Sequence, residues 1–155
     1  MIETPRIVDT PAQQVAALHI VTPRAEMQRV MGPAIGEAMA AARDQGLGPT
    51  GPWFAHHHAI TPASFDFYVC VPVSAPIAAS GRVTAWQRPA LTVASTVYHG
   101  PYEGLGDAWQ ALGEWLGANG HTTADDLYEC YLVGPADSPD PAAWRTELSR
   151  PLVAV

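Results

Sequence analysis

Apolar residues recur along this chain at two spacings, one typical of helices and one typical of strands. Around residues 23–45 and again around 103–120, apolar side chains recur every three or four positions, which is the spacing of one buried helix face. Short apolar or β-branched runs, bounded by proline, glycine or polar clusters, predict strands. The predicted strands are residues 14–21, 53–60, 65–73, 91–98, 126–133 and 144–152.

Proline and glycine residues mark the predicted helix ends. Thr22 is a plausible N-cap for the first helix, with Pro23 at its first position. Gly46 and Gly120 are expected to end the two helices. Pro33 lies inside the first helical pattern, so we expect it to kink that helix or to delay its start.

The two helical patterns match each other at a constant offset. Met31 and Trp109 occupy equivalent positions, 78 residues apart (109 − 31). The other pairs at this offset are Met27 with Leu105, Val30 with Ala108, Ala34 with Leu112, Ala38 with Leu116, and Pro23 with Pro101. Pro72 and Pro151 differ by 79 (151 − 72), which aligns Tyr68 with Glu147. The chain is therefore predicted to contain one structural unit twice.

The order of predicted elements in each copy is β-α-β-β. We expect an α+β fold in which residues 1–155 form a single domain, with repeat one at about 12–80 and repeat two at about 90–155. Residues 81–90 would join the halves in an extended conformation. Such units predict an antiparallel sheet with the helices packed on it. The alternative is a ferredoxin-like sandwich, which repeats its elements in the order β-α-β.

Composition excludes several classes of partner. A chain of 155 residues with 48% hydrophobic and 15% charged residues is typical of a globular domain. The net charge of −7, with only 8 lysine and arginine residues, argues against a nucleic-acid partner. No apolar run approaches the roughly 18 residues of a membrane span, and the N-terminus lacks a signal-peptide layout. We therefore expect a cytoplasmic protein.

Glu129 is the first candidate for chemistry. Strand alternation places Glu129 on one face with Leu127 and Tyr131. A carboxylate on an inner sheet face costs several kcal/mol unless it is paired or solvated, and the Tyr131 hydroxyl could donate a hydrogen bond to it. The structural alternative is that Glu129 faces water, or that Arg145 or Arg150 neutralises it.

Tryptophan, histidine and cysteine residues supply the other candidates. The chain has five tryptophans, of which Trp109 lies on the buried stripe of the second helix; core packing is the alternative explanation for each. The tract His56–His58 alternates faces in a strand, and no third ligand is apparent nearby, so we expect no metal site. Cys70 and Cys130 lie in predicted strands and are expected to be buried thiols. No nucleophile–base triad or glycine-rich phosphate loop is present, and we expect no cofactor.

Several segments together resemble one known family. They are Val97–Leu105, Leu127–Leu132, Arg145–Leu148 with Pro151 and Leu152, Gly51–His58, and Phe65–Val73. This combination resembles the GyrI-like small-molecule-binding family, which includes the effector-binding domains of AraC-type and MerR-type multidrug regulators. The resemblance implies two SH2-like βαββ units around a ligand groove. It also implies a central pocket acid at Glu129 and an aromatic lining that includes Tyr131, Trp109 and Trp53.

One departure from the family pattern changes the expected pocket. The first-half strand of the family usually carries an acid where this chain has Tyr68. Adding Tyr68 and His57 to the residues above gives the predicted ligand-binding set: Glu129, Tyr131, Trp109, Tyr68, His57 and Trp53.

The resemblance favours binding of hydrophobic aromatic, often cationic, small molecules as a means of sequestration. An alternative is a hydrolase that opens the cyclopropane of DNA-alkylating natural products, with Glu129 and Tyr131 as catalytic residues. A third is a protein-interaction module like a gyrase inhibitor. The chain has no room for a helix-turn-helix domain, so we expect a stand-alone protein, monomeric or weakly dimeric, with no nucleic-acid or membrane partner.

Overall fold

The computed structural model describes residues 2–153, apart from the side chain at position 59. The described chain divides into two compact units, residues 11–90 (the first-repeat unit) and residues 2–10 with 91–153 (the second-repeat unit). The elements in chain order are β1 (Arg6–Thr10), β2 (Gln13–Pro23), α1 (Met27–Asp44), β3 (Phe54–Ile60), β4 (Ser64–Pro72), β5 (Val83–Arg88), β6 (Leu91–His99), α2 (Leu105–Ala118), β7 (Leu127–Val133) and β8 (Arg145–Pro151).

Each unit contains a four-stranded antiparallel sheet and one helix. The first-repeat unit has the strand order β3-β4-β2-β5 and the second-repeat unit β1-β6-β8-β7. The predicted α+β fold with two β-α-β-β repeats is confirmed. The ferredoxin-like alternative is wrong, because two antiparallel strands follow each helix.

The repeat holds at the level of single residues. Both long helices begin after one turn of 3₁₀-helix, at Arg24–Glu26 and Tyr102–Gly104, and their first residues are 78 positions apart (105 − 27). In the ladders, Tyr68 lies opposite His19 and Glu147 lies opposite Val97. The predicted alignment of Tyr68 with Glu147 is therefore confirmed, since their partners also differ by 78 positions (97 − 19).

Two strands were absent from the sequence-based prediction. Strand β1 pairs with β6, and β5 lies within the segment 81–90, where it pairs with β2. Both are outermost strands of their unit's sheet. An outer strand has one strand neighbour in its unit and exposes much of its length, so its own apolar pattern is weak. Its conformation is set by the ladder of the neighbouring strand rather than by its own sequence.

The start of the first helix differs from the prediction. Pro23 is the last residue of β2, and the Thr22 hydroxyl donates to the Pro23 carbonyl rather than capping the helix. Helix α1 continues through Pro33, so the expected delay of its start is wrong. Burial of the alanines that follow Pro33 in the helix, among them Ala34 and Ala38, offsets the loss of one backbone hydrogen bond.

The helix ends agree with the sequence. Helix α1 ends at Asp44 and α2 at Ala118, and Gly46 and Gly120 follow with positive φ angles of 68° and 71°. Glycine adopts this left-handed conformation at little cost, which terminates the helix. Among the described residues, neither helix combines the length and the apolar character needed to cross a membrane.

Candidate functional site

Glu129 lies on the helix-facing side of the second-repeat sheet. In the ladder between β7 and β8 it is opposite Leu148, which is fully buried. Leu148 packs in one apolar cluster with Leu112 and Leu116 of α2. Because directly opposite residues share a face of the sheet, the same packing that buries Leu148 directs Glu129 and Tyr131 toward the side of α2.

Two neutral donors contact the Glu129 carboxylate. Trp109 Nε1 donates to Oε2 at 3.1 Å, and the Tyr131 hydroxyl donates to Oε1 at 3.2 Å. Only 8% of Glu129 is exposed, so the alternative in which this residue faces water is wrong. Hydrogen bonds to a carboxylate offset part of the cost of burying it. Three of the predicted site residues are thus brought together.

The two arginines considered as partners of Glu129 bind elsewhere. Arg145 donates to the carbonyl oxygens of Ala142 and Trp144. Arg150 donates to the Thr123 hydroxyl and the Ala124 carbonyl. Both guanidinium groups therefore support loops of the second-repeat unit.

Burial controls the protonation of Tyr131. Loss of solvation, followed by the nearby Glu129 carboxylate, raises the pKa of Tyr131 well above its ordinary value near 10. The hydroxyl therefore stays protonated in the physiological range and can act as a hydrogen-bond donor. It cannot serve as a general base at neutral pH, because the tyrosinate form is not populated.

Two further aromatic rings adjoin this group. Tyr102 packs edge-on against Tyr131 with ring centroids 5.9 Å apart, and Trp144 lies 4.9 Å from Tyr102. Burial, then the charges of Glu129 and Asp137, raise the pKa of Tyr102. We refer to Trp109, Glu129, Tyr131, Tyr102 and Trp144 as the Glu129 cluster.

Sequence reasoning missed Tyr102 and Trp144 as members of the Glu129 cluster. Alternation along β8 could have predicted the side on which Trp144 lies. Trp144 precedes the buried Thr146 by two residues and the buried Leu148 by four, and residues at these spacings share one face of a strand. Tyr102 lies in a 3₁₀ turn, where a side chain's direction depends on how the turn packs. No periodic pattern in the sequence could have placed it.

The other predicted site residues belong to the first-repeat unit, and they do not share one face. Tyr68 is opposite His56 and stacks on His19 with ring centroids 4.6 Å apart. His57 is buried on the opposite face, 5.0 Å from the Phe67 ring. Trp53 immediately precedes β3 and is half-buried. Their assignment to a ligand site stays a prediction.

The histidine tract behaves as strand alternation predicted. His56 and His58 share a face with ring centroids 4.3 Å apart, and Trp86 stacks on His56 at 5.3 Å. Within residues 2–153, no group of three or more histidine, cysteine or acidic side chains is arranged to hold a metal ion. Neither Cys70 nor Cys130 forms a disulfide; Cys70 is buried as expected, whereas Cys130 is only partly buried. Burial raises the pKa of Cys70, which leaves it unreactive.

The Glu129 cluster combines a buried negative charge with several aromatic faces. A carboxylate in a poorly solvated site attracts cations more strongly than one in water. Aromatic rings add stacking and cation–π interactions. The chemistry of the cluster therefore suits a flat or aromatic ligand that carries positive charge or a hydrogen-bond donor.

Solved structures share this fold. The chain superposes on the crystal structure of the EcmrR C-terminal domain with a TM-score of 0.87 and 24% identity, covering 98% of both chains. It matches EcmrR in the cryo-EM structure of an EcmrR–DNA complex with the same TM-score and 25% identity, and spans 58% of that longer chain. SAV2435 bound to tetraphenylphosphonium gives a TM-score of 0.69 at 8% identity, with 98% of this chain and 95% of that chain covered.

The family model for the GyrI-like small molecule binding domain matches residues 3–153. No protein with a curated functional description matches this sequence. The family match covers nearly the whole chain, includes every residue of the Glu129 cluster, and agrees with the fold of the solved structures. The chain therefore belongs to the GyrI-like small molecule binding domain family.

Proposed function

We propose that this chain binds hydrophobic aromatic cations at the Glu129 cluster and acts by sequestering them. The observation that carries the proposal is a carboxylate of 8% exposure that accepts hydrogen bonds from Trp109 and Tyr131. These two donors are neutral, so their hydrogen bonds orient the carboxylate and add no positive charge of their own. A bound cation would gain the Coulomb attraction of a poorly solvated carboxylate together with contact to aromatic faces.

Family membership supports the same proposal. The family binds small molecules, and SAV2435, which shares this fold, is bound to tetraphenylphosphonium in its solved structure. That ligand is an aromatic cation without hydrogen-bonding groups, so its recognition depends on charge and apolar contact alone. It is therefore a suitable first probe for the Glu129 cluster.

The test is a titration of the protein with tetraphenylphosphonium, followed by calorimetry and by tryptophan fluorescence. We expect Glu129→Gln to weaken binding about tenfold, which corresponds to about 1.4 kcal/mol. Glu114→Gln is the matched control, because Glu114 is an exposed carboxylate on α2 that accepts a hydrogen bond from Gln110. Absence of binding to the unmodified protein, or equal weakening by both substitutions, would contradict the proposal.

A second candidate function is ring-opening hydrolysis of cyclopropane-bearing compounds. The observation that favours it is the pairing of a buried carboxylate with a hydroxyl that stays protonated, 3.2 Å apart. In this reaction Glu129 takes a proton from water as the water oxygen attacks the strained carbon. The electrons of the breaking ring bond move to the conjugated ketone oxygen, which Tyr131 stabilises by hydrogen bonding. The proton held by Glu129 then passes to that oxygen, directly or through solvent, which completes the addition of one water and restores the carboxylate.

Mass spectrometry distinguishes the two functions. Incubation with a cyclopropane-bearing indolone gives a product heavier by one water if the chain is this hydrolase, and Glu129→Gln abolishes the product. Recovery of unchanged compound, together with quenched tryptophan fluorescence, supports binding alone.

A further inference from the structure

The hydroxyl of Thr146 is an unusual feature of the second-repeat unit. Thr146 lies in β8 and is 0% exposed. Among the residues described by the structure, its Oγ1 atom has no hydrogen-bond partner. Buried polar groups are nearly always hydrogen-bonded, and valine has almost the same shape without a hydroxyl to desolvate.

Two other buried positions can be compared with Thr146. Thr96, also buried and in the adjacent strand β6, donates its hydroxyl to the Glu3 carbonyl at 2.6 Å. In the first-repeat unit, the position equivalent to Thr146 is Phe67, a fully buried apolar residue. No hydrogen bond within the described residues therefore explains why a polar side chain occupies position 146.

Thr146 lies on the same face as the Glu129 carboxylate. It is directly opposite Tyr131 in one ladder and opposite Tyr98 in the other. Both neighbouring phenols are engaged, since Tyr131 donates to Glu129 and Tyr98 donates to the Pro101 carbonyl at 2.7 Å. Thr146 and Glu129 are diagonal neighbours in the ladder between β7 and β8, so their Cα atoms are expected to lie about 7–8 Å apart.

We propose that Thr146 binds a neutral oxygen of the ligand whose positive charge is held by Glu129. The preferred ligand is then an aromatic cation that carries a carbonyl oxygen on the order of 7 Å from its charge. This inference rests on the proposed function. Because Thr146 is fully buried, the ligand has to displace a neighbouring side chain to reach it. Tyr102 is half-buried and packs on Tyr131, the residue directly opposite Thr146, so the proposal assigns this movement to the Tyr102 ring.

The test compares two probes that differ in one acceptor: tetraphenylphosphonium and (4-acetylphenyl)triphenylphosphonium. We expect the unmodified protein to bind the acetyl probe about fivefold more tightly, as one added hydrogen bond implies. Thr146→Val should remove this preference and leave the affinity for tetraphenylphosphonium unchanged. Thr146→Ser keeps the hydroxyl and should keep most of the preference, and Thr96→Val is a control that should keep all of it.

Equal affinity of the two probes for the unmodified protein would overturn the proposal, as would a preference that survives in Thr146→Val. Equal weakening of both probes would also overturn it, because that result indicates a change of shape. Thermal unfolding provides a measurement without ligand: Thr146→Val should raise the midpoint, and a lowered midpoint would show that the fold itself uses the hydroxyl.

Failure of the proposed function gives a different result. If neither probe binds the unmodified protein, the proposed function and this inference fall together. If tetraphenylphosphonium binds in a manner that depends on Glu129, but the acetyl group gives no advantage, only the inference about Thr146 fails.

Discussion

The two repeat units have equivalent backbones but place different chemistry beneath their helices. The ladder registers make Glu129 equivalent to Ala55 and Tyr131 equivalent to His57, and the helix offset makes Trp109 equivalent to Met31. The scaffold positions remain apolar in both units, as in the buried pairs Ala34 with Leu112 and Ala38 with Leu116. The comparison shows that one fold can bury a carboxylate with its donors in one copy and carry an alanine, a histidine and a methionine at the equivalent positions of the other.

The difference lies in a set of residues rather than in one. A buried carboxylate requires donors, and the second-repeat unit supplies them from a neighbouring strand position and from the helix. Met31 has no hydrogen-bond donor in its side chain, and Ala55 is fully buried. We infer that the carboxylate is tolerated in the second unit because its partners are present there.

The largest effect is expected from copying the acid alone into the first unit. Ala55→Glu should lower the free energy of unfolding by about 3 kcal/mol or more, because the new carboxylate would be buried without the tryptophan and tyrosine donors. Urea denaturation at pH 7 measures this change. Ala55→Gln has nearly the same size without the charge, and equal losses for the two variants would show that size, not charge, limits this position.

An intermediate effect is expected where the two units differ in the turn before the helix. A Cβ atom at Gly104 would overlap the Tyr98 hydroxyl and lie 2.9 Å from its ring carbon Cζ. The first unit has Ile20 and Glu26 at the equivalent positions, so it needs no glycine there. Gly104→Ala should therefore destabilise the protein by about 1–3 kcal/mol in thermal or urea unfolding.

Gly106 provides the control for this substitution. A Cβ atom at Gly106, in the first turn of α2, would meet nothing within 4 Å. Gly106→Ala should be neutral or stabilising by up to about 1 kcal/mol, because alanine favours the helix. Similar behaviour of the two alanine variants would contradict the close approach of Tyr98 to Gly104.

The smallest effect on stability is expected at Tyr131, which occupies the position equivalent to His57 of the first unit. Its pKa is raised in the folded protein, so the unfolded chain releases the proton first as pH rises. Stability is then fully present below pH 10 and falls above it, by about 1.4 kcal/mol for each pH unit until the folded pKa is reached. Tyr131→Phe should remove this part of the decrease in the free energy of unfolding at alkaline pH. Urea denaturation between pH 9 and pH 11 measures the change.

Glu129→Gln refines the same prediction. It removes the charge that contributes to the high pKa of Tyr131 but leaves the burial that is the larger cause. The alkaline loss should therefore become smaller without disappearing. An unchanged loss in both variants would show that Tyr131 is not the residue responsible.

The sequence by itself determined the repeat, the positions of both long helices and six of the eight strands found within residues 2–153. These features follow from side-chain periodicity, from proline and glycine at element ends, and from the constant offset between the halves. Alternation also placed Glu129 and Tyr131 on one face, and separated His57 from His56 and His58, because the direction of a side chain in a strand is fixed by its parity.

Only the tertiary structure decided which residues meet Glu129. The hydrogen bond from Trp109 to Glu129 depends on how α2 lies on its sheet, and the contact of Tyr102 with Tyr131 depends on a short 3₁₀ turn. Strands β1 and β5 were missed because their pairing is set by β6 and β2. The unsatisfied hydroxyl of Thr146 was also invisible in the sequence, since burial and hydrogen bonding of a side chain depend on residues distant along the chain.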